Sequence, residues 1–168
     1  MVVKVLFTIL LVTLAFSAKA ENYETGESAY KRGDYQTALK HFKPLAERGH
    51  AKAQSNLGFM YSRGYGVMRD YNTALIWFSK AALQDDVHAQ HNLGIMHGNG
   101  LGVPRDHFIA YIWFSVAMAN GHRSSNMKRE LAATRLKPEE IKLAEKISQK
   151  CQIQPSFCSK YAIPGKDI

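Results

Sequence analysis

Apolar and polar positions alternate with helical spacing through the middle of this chain, and they do so twice. Ala53, Leu57 and Tyr61 fall at i, i+4 and i+8, one face of a helix, with Gly58 beside them. Gly64-Tyr65-Gly66 then breaks the pattern, because glycine supplies the positive φ that ends helices and turns the chain. Ala74, Trp77, Phe78 and Ala81 follow at i, i+3, i+4 and i+7, the inner stripe of a second helix, and Asp70 stands just ahead of it where an N-cap carboxylate belongs. The next stretch repeats the plan, with Asp106 as cap and Ala110, Trp113, Phe114 and Ala117 on the inner stripe. Alanines opposite large rings let paired helices approach closely.

The two stretches are copies. Ala53-Gln54-x-Asn56-Leu57-Gly58 returns as Ala89-Gln90-x-Asn92-Leu93-Gly94 at an offset of 36 residues. At the same offset and without a gap, Gly64, Gly66, Val67, Arg69, Asp70, Ala74, Trp77, Phe78 and Ala81 reappear as Gly100, Gly102, Val103, Arg105, Asp106, Ala110, Trp113, Phe114 and Ala117. A fixed period of roughly 20 to 50 residues marks a solenoid, in which each unit buries its apolar face only against its neighbours. Upstream, Asp34, Tyr35, Ala38 and Phe42 keep the offset onto Asp70, Tyr71, Ala74 and Phe78, while Tyr30 and Gly33 align with Tyr61 and Gly64 at 31, so a shorter connection is predicted. Downstream, Arg123 to Arg135 and Pro138 to Lys150 read as two more helices, the second with proline at its first position and Glu139 and Glu140 in its first turn. There Leu131, Leu136, Ile141, Leu143, Ala144 and Ile147 replace the repeat signature, as a polar-faced cap requires.

The expected organisation is therefore residues 1–20 as a cleavable export signal, repeat units at 21–50, 51–86 and 87–122, capping helices at 123–151 and a tail at 152–168. The export reading rests on Lys4, the apolar run from Val5 to Phe16, and small residues ending in Ala18-Lys19-Ala20. That run is too short to span a bilayer, which takes roughly 20 residues. A mature chain starting near Glu21 is thus expected in the periplasm or secreted, with no membrane-spanning segment after cleavage.

Charge is unevenly placed. Of the formal +8, the export segment holds Lys4 and Lys19, and +5 lies between His122 and Ile168. Two readings stay open: a solvated helix face, or contact with an anionic surface such as lipid, glycan or an acidic protein. After export, nucleic acid is not expected as a partner. Cys151 and Cys158, the two cysteines of the chain, are expected to pair in an oxidising compartment and to pin the tail to the last helix.

With these positions assigned, the chain resembles the Sel-one-like repeat family, a branch of the tetratricopeptide-like solenoids. The resemblance rests on Ala53, Gln54, Leu57-Gly58, Tyr61-x-x-Gly64-x-Gly66-Val67, Asp70, Ala74, Trp77 and Ala81-Ala82, and covers Asn22 to Gly121. It implies an all-α, right-handed superhelix of about three helix pairs plus a C-terminal capping pair, binding protein or peptide on its concave surface as a scaffold, without catalysis or cofactor. The chain departs from the family pattern at His97, which stands where Tyr61 stands one unit earlier, and in lacking the two cysteines per repeat of the cysteine-rich subgroup. That subgroup has been connected with β-lactam hydrolysis, so a small periplasmic hydrolase is one alternative, and a secreted factor acting on a host is another.

Candidate chemistry is sparse. Ser28-x-x-Lys31 and Ser125-x-x-Lys128 have the serine-lysine spacing of penicillin-recognising hydrolases, but the Lys-Thr-Gly and Ser-Asp-Asn partners of that mechanism are missing. His88 and His91 lie at i and i+3 with His97 two turns beyond, enough for a metal only if another ligand arrives from elsewhere. Their counterparts Lys52, Ser55 and Tyr61 argue instead for variable surface, and no metal is expected. Positions held between copies maintain packing, whereas Lys52/His88, Ser55/His91 and Phe59/Ile95 change and are free to face a partner. The family's first helices line the inner curve, so the expected partner-binding strip is Ser55, Phe59, His91 and Ile95, with Lys52 and His88 at its margin.

Overall fold

The computed structural model describes residues 23–163. The export segment expected over 1–20 lies outside them. Aspartate and glycine punctuate the chain as their chemistry requires. Residues 23–31 form α1, followed by α2 (Tyr35–Glu47), α3 (Ala51–Arg63), α4 (Tyr71–Ala82), α5 (Val87–Asn99) and α6 (His107–Ala119). The outer helices α2, α4 and α6 each begin on an aspartate. Asp34 accepts from the N–H of Thr37, Asp70 from those of Asn72 and Thr73, and Asp106 from that of Ile109. The inner helices α3 and α5 end on Gly64 and Gly100 at φ 75° and 71°, the left-handed conformation that closes a helix at no steric cost to glycine. No strand occurs among the described residues.

Each inner helix presses a glycine against an aromatic ring of its outer partner. A Cβ on Gly58 would stand 2.7 Å from the Phe78 ring, and one on Gly94 2.6 Å from the Phe114 ring. The N-terminal unit does the same with Gly26 and Phe42, at 2.9 Å. The offset of 31 that aligns Gly33 with Gly64 would have put Glu27 in that role, so the shorter connection is absorbed across the end of α1 as well as in the loop.

Neighbouring units are stitched by a buried glutamine. The side-chain amide of Gln54 donates to the Ala46 carbonyl at 3.0 Å, and that of Gln90 to Ala82 at 3.2 Å, each adding a second donor to a helix-end carbonyl that also accepts a backbone N–H, from Gly49 and Asp85. Each glutamine oxygen then accepts from the far end of its own unit, Gln54 from Gln84 and Gln90 from Asn120. The apolar interior has two parts. A smaller one holds Ala29, Ala38, Phe42, Leu45, Leu57 and Met60, and a larger one runs from Ala74 to Ile163, with Tyr61 against both. This is a helical repeat solenoid, all-α as anticipated.

The C-terminal end differs from expectation. Helices α7 (Ser125–Ala133) and α8 (Pro138–Ile153) both pack on α6, and Leu131 and Leu143 stay exposed. The tail, expected to be pinned to the last helix, goes further and returns to the core. After α8 a 3₁₀ turn (Pro155–Cys158) and a short α9 (Ser159–Ala162) fold back until α9 reaches α4. The Cys151–Cys158 disulfide, with Cα atoms 5.4 Å apart, holds that reversal. The indole N–H of Trp113 donates to the Tyr161 carbonyl at 2.8 Å, and His97 Nε2 lies 3.1 Å from the Ala162 carbonyl.

His97 is accordingly a correction to the sequence reading. It is fully buried where variable surface was expected. Because its acceptor is a carbonyl, Nε2 carries the proton, and Nδ1 has no partner, so only the neutral ring fits. Burial pushes its pKa below the ordinary imidazole value.

Candidate functional site

Helices α1, α3, α5 and α7 form one row, and polar side chains tie it together. Asn56 donates to the Tyr23 hydroxyl at 3.1 Å between α3 and α1. Ser55 donates to Asp86 Oδ1 at 2.9 Å, and the same carboxylate accepts the Ala89 N–H, so the residue that caps α5 is also the one that α3 grips. One unit later His122 stands at the equivalent of Asp86, two residues ahead of the Ser124 N-cap of α7, and His91 at the equivalent of Ser55. The chain thus replaces a serine-aspartate hydrogen bond with two stacked imidazoles, ring centroids 4.2 Å apart, both with Nδ1 on the Ser125 hydroxyl at 2.8 and 2.9 Å.

Two grooves open on this row. The first, about 390 Å³, is walled by Tyr23 and Tyr30 of α1, Lys52 and Phe59 of α3, and His88 and Asn92 of α5. Lys52 and His88 are exposed at its rim and Phe59 is half-buried in its wall, with the Arg63 guanidinium 5.3 Å over the ring. Ser55 reaches it only as floor. It is 7% exposed and its hydroxyl is committed to Asp86. Tyr23 and Tyr30 do not stand out as site residues in the sequence because α1 has no in-register copy against which a variable position could be seen, and Asn56 does not because it is held as Asn92 in the next copy.

The second groove, about 360 Å³, lies between α5 and α7. Ile95 belongs here. Its floor is Phe114 and Ala132, its walls are Ile95 and Leu131, and Arg105, Lys128 and Arg135 stand around it. The strip expected from the sequence is therefore divided: Lys52, Ser55, Phe59 and His88 meet in one groove, Ile95 lines the other, and His91 lines neither. His91 is half-buried between the His122 ring and the Phe114 ring, the latter 5.5 Å away. Its ring fills a helix junction, which is why it is not free to face a partner.

Burial, and then the nearby His122, Lys128 and His88, lower the pKa of His91 from 6.5 to about 4. His122 is lowered as well, first by burial and then by His88. The sign follows from linkage: an unfolded imidazole takes its proton near pH 6.5, before the folded one does, so acid favours the unfolded chain. The stability present above about pH 6.5 is lost as pH falls toward 4. Thermal unfolding at pH 7.5 and pH 5 is expected to show a lower midpoint at pH 5. His91→Ser, the residue of the preceding copy, should narrow that difference, and an unchanged difference would remove His91 as its source.

The two serine-lysine pairs are not assembled. Ser28 accepts from Arg32 at 2.6 Å while Lys31 pairs with Glu27 at 3.1 Å. Ser125 is fully buried with its hydroxyl held by the two histidines, so no substrate carbonyl reaches it. Among the described residues no group of three or more His, Cys, Asp or Glu side chains is placed to hold a metal ion, and no helix is long and apolar enough to cross a membrane.

The Sel1 repeat family model matches residues 15–50, 51–86 and 87–122. Among solved structures, the chain is similar to a protective antigen of uropathogenic Escherichia coli strains that displays an SLR fold, at 30% identity and a TM-score of 0.75 over 86% of this chain and 30% of that one. It is similar also to a Sel1 repeat protein from Oxalobacter formigenes, at 32% identity and a TM-score of 0.61 over 64% of this chain and 43% of that one. The chain thus spans less than half the length of either structure. No protein with a curated description matches it.

Proposed function

The chain belongs to the Sel1 repeat family, whose helical repeats in general mediate contacts between proteins, and from that membership we propose that it is an exported, non-catalytic scaffold gripping a partner segment in the groove between α1, α3 and α5. The observation that carries this reading is where variation falls. Residues held between the two copies, such as Gly58/Gly94, Phe78/Phe114 and Gln54/Gln90, lock helices together, whereas Lys52 and Phe59, which change to His88 and Ile95, open onto grooves. Tyr23, Tyr30 and Phe59 bring broad rigid rings that bury area at little entropic cost, and Lys52, His88, Asn56 and Asn92 offer hydrogen bonds at the edge. Export is supported by the leading apolar stretch and by the disulfide, a bond that persists in oxidising compartments.

The test is position-resolved crosslinking in cells that produce the full chain. A photoreactive amino acid at Phe59, in the groove, is expected to give a discrete protein adduct, and one at Ile76, exposed on the outer helix α4, is not. Equal yield from the two positions, or none from Phe59, would overturn the assignment of this face.

A further inference from the structure

The second groove differs in kind from the first. Arg105 comes from the connection into α6, Lys128 from α7 and Arg135 from the turn that follows α7, so cations converge from three segments on one opening. None of the residues lining it is Asp or Glu. Among the described residues, Arg105, Lys128 and Arg135 enter no ion pair, and the imidazoles of His88, His91 and His122 gather on the side of Lys128. Three uncompensated cations around one opening focus a positive field outward.

Beneath them the surface is apolar. Phe114 and Ala132 are nearly closed off from solvent, Ile95 is half-buried, and Leu131 leaves 59% of its surface exposed on the wall. The space between exists because Gly98 has no side chain. A Cβ there would meet only Ala110, at 3.4 Å, in contrast with Gly94 one turn earlier, where it would strike the Phe114 ring. About 360 Å³ suits an apolar side chain with its flanking backbone.

On the reading that this row of helices receives protein segments, we propose that the α5–α7 groove selects one chemistry: a peptide segment in which an apolar residue is flanked by aspartate or glutamate. The apolar side chain sits over Phe114 between Ile95 and Leu131, and the carboxylates meet Arg105, Lys128 and Arg135. A flat anionic surface would meet the exposed lysines of α8 equally well and would not use the apolar floor, so the recess favours a peptide over a membrane.

A random dodecapeptide library displayed on phage, panned against the protein secreted from the full chain, tests this. Recovered sequences are expected to place Asp or Glu on both sides of an apolar residue. Synthetic versions are expected to lose about tenfold or more in affinity with Lys128→Glu plus Arg135→Glu, the scale of a few exposed charge contacts reversed. Gly98→Leu, which fills the recess from a helix position with room for it, should reduce binding similarly without lowering the unfolding midpoint, and Lys52→Glu in the other groove should leave it unchanged. Recovery without acidic preference, affinity indifferent to these substitutions, or charge-dependent binding to phosphatidylglycerol vesicles in place of peptide selection would each overturn the proposal. If Phe59 still crosslinks while the acidic preference is missing, the scaffold reading stands and this one falls. If the acidic peptides bind as described while Phe59 gives no adduct, the first groove loses its role and the second keeps its own.

Discussion

Replacing Trp113 with alanine is expected to destabilise the protein by about 3–5 kcal/mol, while the same change at Trp77, its counterpart one unit earlier, costs about 1–2 kcal/mol. The residues are identical and share Ile-Trp-Phe-Ser as their immediate sequence, and the difference lies in what covers them. Trp113 is 1% exposed, enclosed by α9, with its N–H on the Tyr161 carbonyl. Truncation leaves a cavity and strands that carbonyl without a donor, two penalties that act together. Trp77 is partly open to solvent, with the Lys80 ammonium 4.8 Å over its ring, so water occupies much of the space that truncation would vacate. Denaturant unfolding at neutral pH measures both. Equal losses would mean that the C-terminal segment does not seal the last unit as described.

Gly94→Ala and Gly98→Ala are expected to change stability in opposite directions, although they lie one turn apart on α5. Replacing a helical glycine with alanine by itself stabilises by about 1 kcal/mol, since alanine loses less backbone freedom on folding. At Gly98 the new methyl meets only Ala110, at 3.4 Å, so most of that gain should be realised. At Gly94 it would lie 2.6 Å from two carbons of the Phe114 ring, and that ring is 4% exposed with His91 on one side. Moving the ring disturbs the floor of the α5–α7 groove and the His91 junction, and overpacking of this kind costs about 1–3 kcal/mol. A net loss of about 2 kcal/mol is expected for Gly94→Ala, partly recovered when Phe114→Leu is added. A stabilised Gly94→Ala would show that the paired helices can part without loss, contrary to the interlock repeated at Gly26, Gly58 and Gly94.

The helices and their order were legible because short-range chemistry writes them. Asp70 and Asp106 precede apolar stripes, Gly64 and Gly100 follow them, and a gapless 36-residue echo leaves one register. What was not legible depends on contacts that no period carries. His97 looked like variable surface because Tyr61 occupies its place one unit earlier, yet it is buried by Ala162, 65 residues further on. His91 and His122 face each other because one replaces Ser55 and the other Asp86 across a helix junction, a pairing visible only once Ser55 is seen to bind Asp86. Comparing the copies found Phe59 and Ile95 but could not divide them between grooves, since that division is made by α7, which has no copy. The bias of charge toward the C-terminus was the available trace of the basic groove. It could not single out Arg105, Lys128 and Arg135 from the other cations, nor show that the missing side chain of Gly98 makes the room.

The return of α9 across α6 onto α4 gives the two ends of the array different evolutionary prospects. A further unit inserted after Gly121 would carry Tyr161 and Ala162 away from Trp113 and His97, stranding a buried indole and a buried imidazole at once. Units added ahead of α2 would meet only the joint between neighbours that the chain already uses. Growth and shortening by tandem duplication are therefore directional here, open on the amino-terminal side and barred on the other. The last unit is the anchor to which any change in the number of repeats must be fitted.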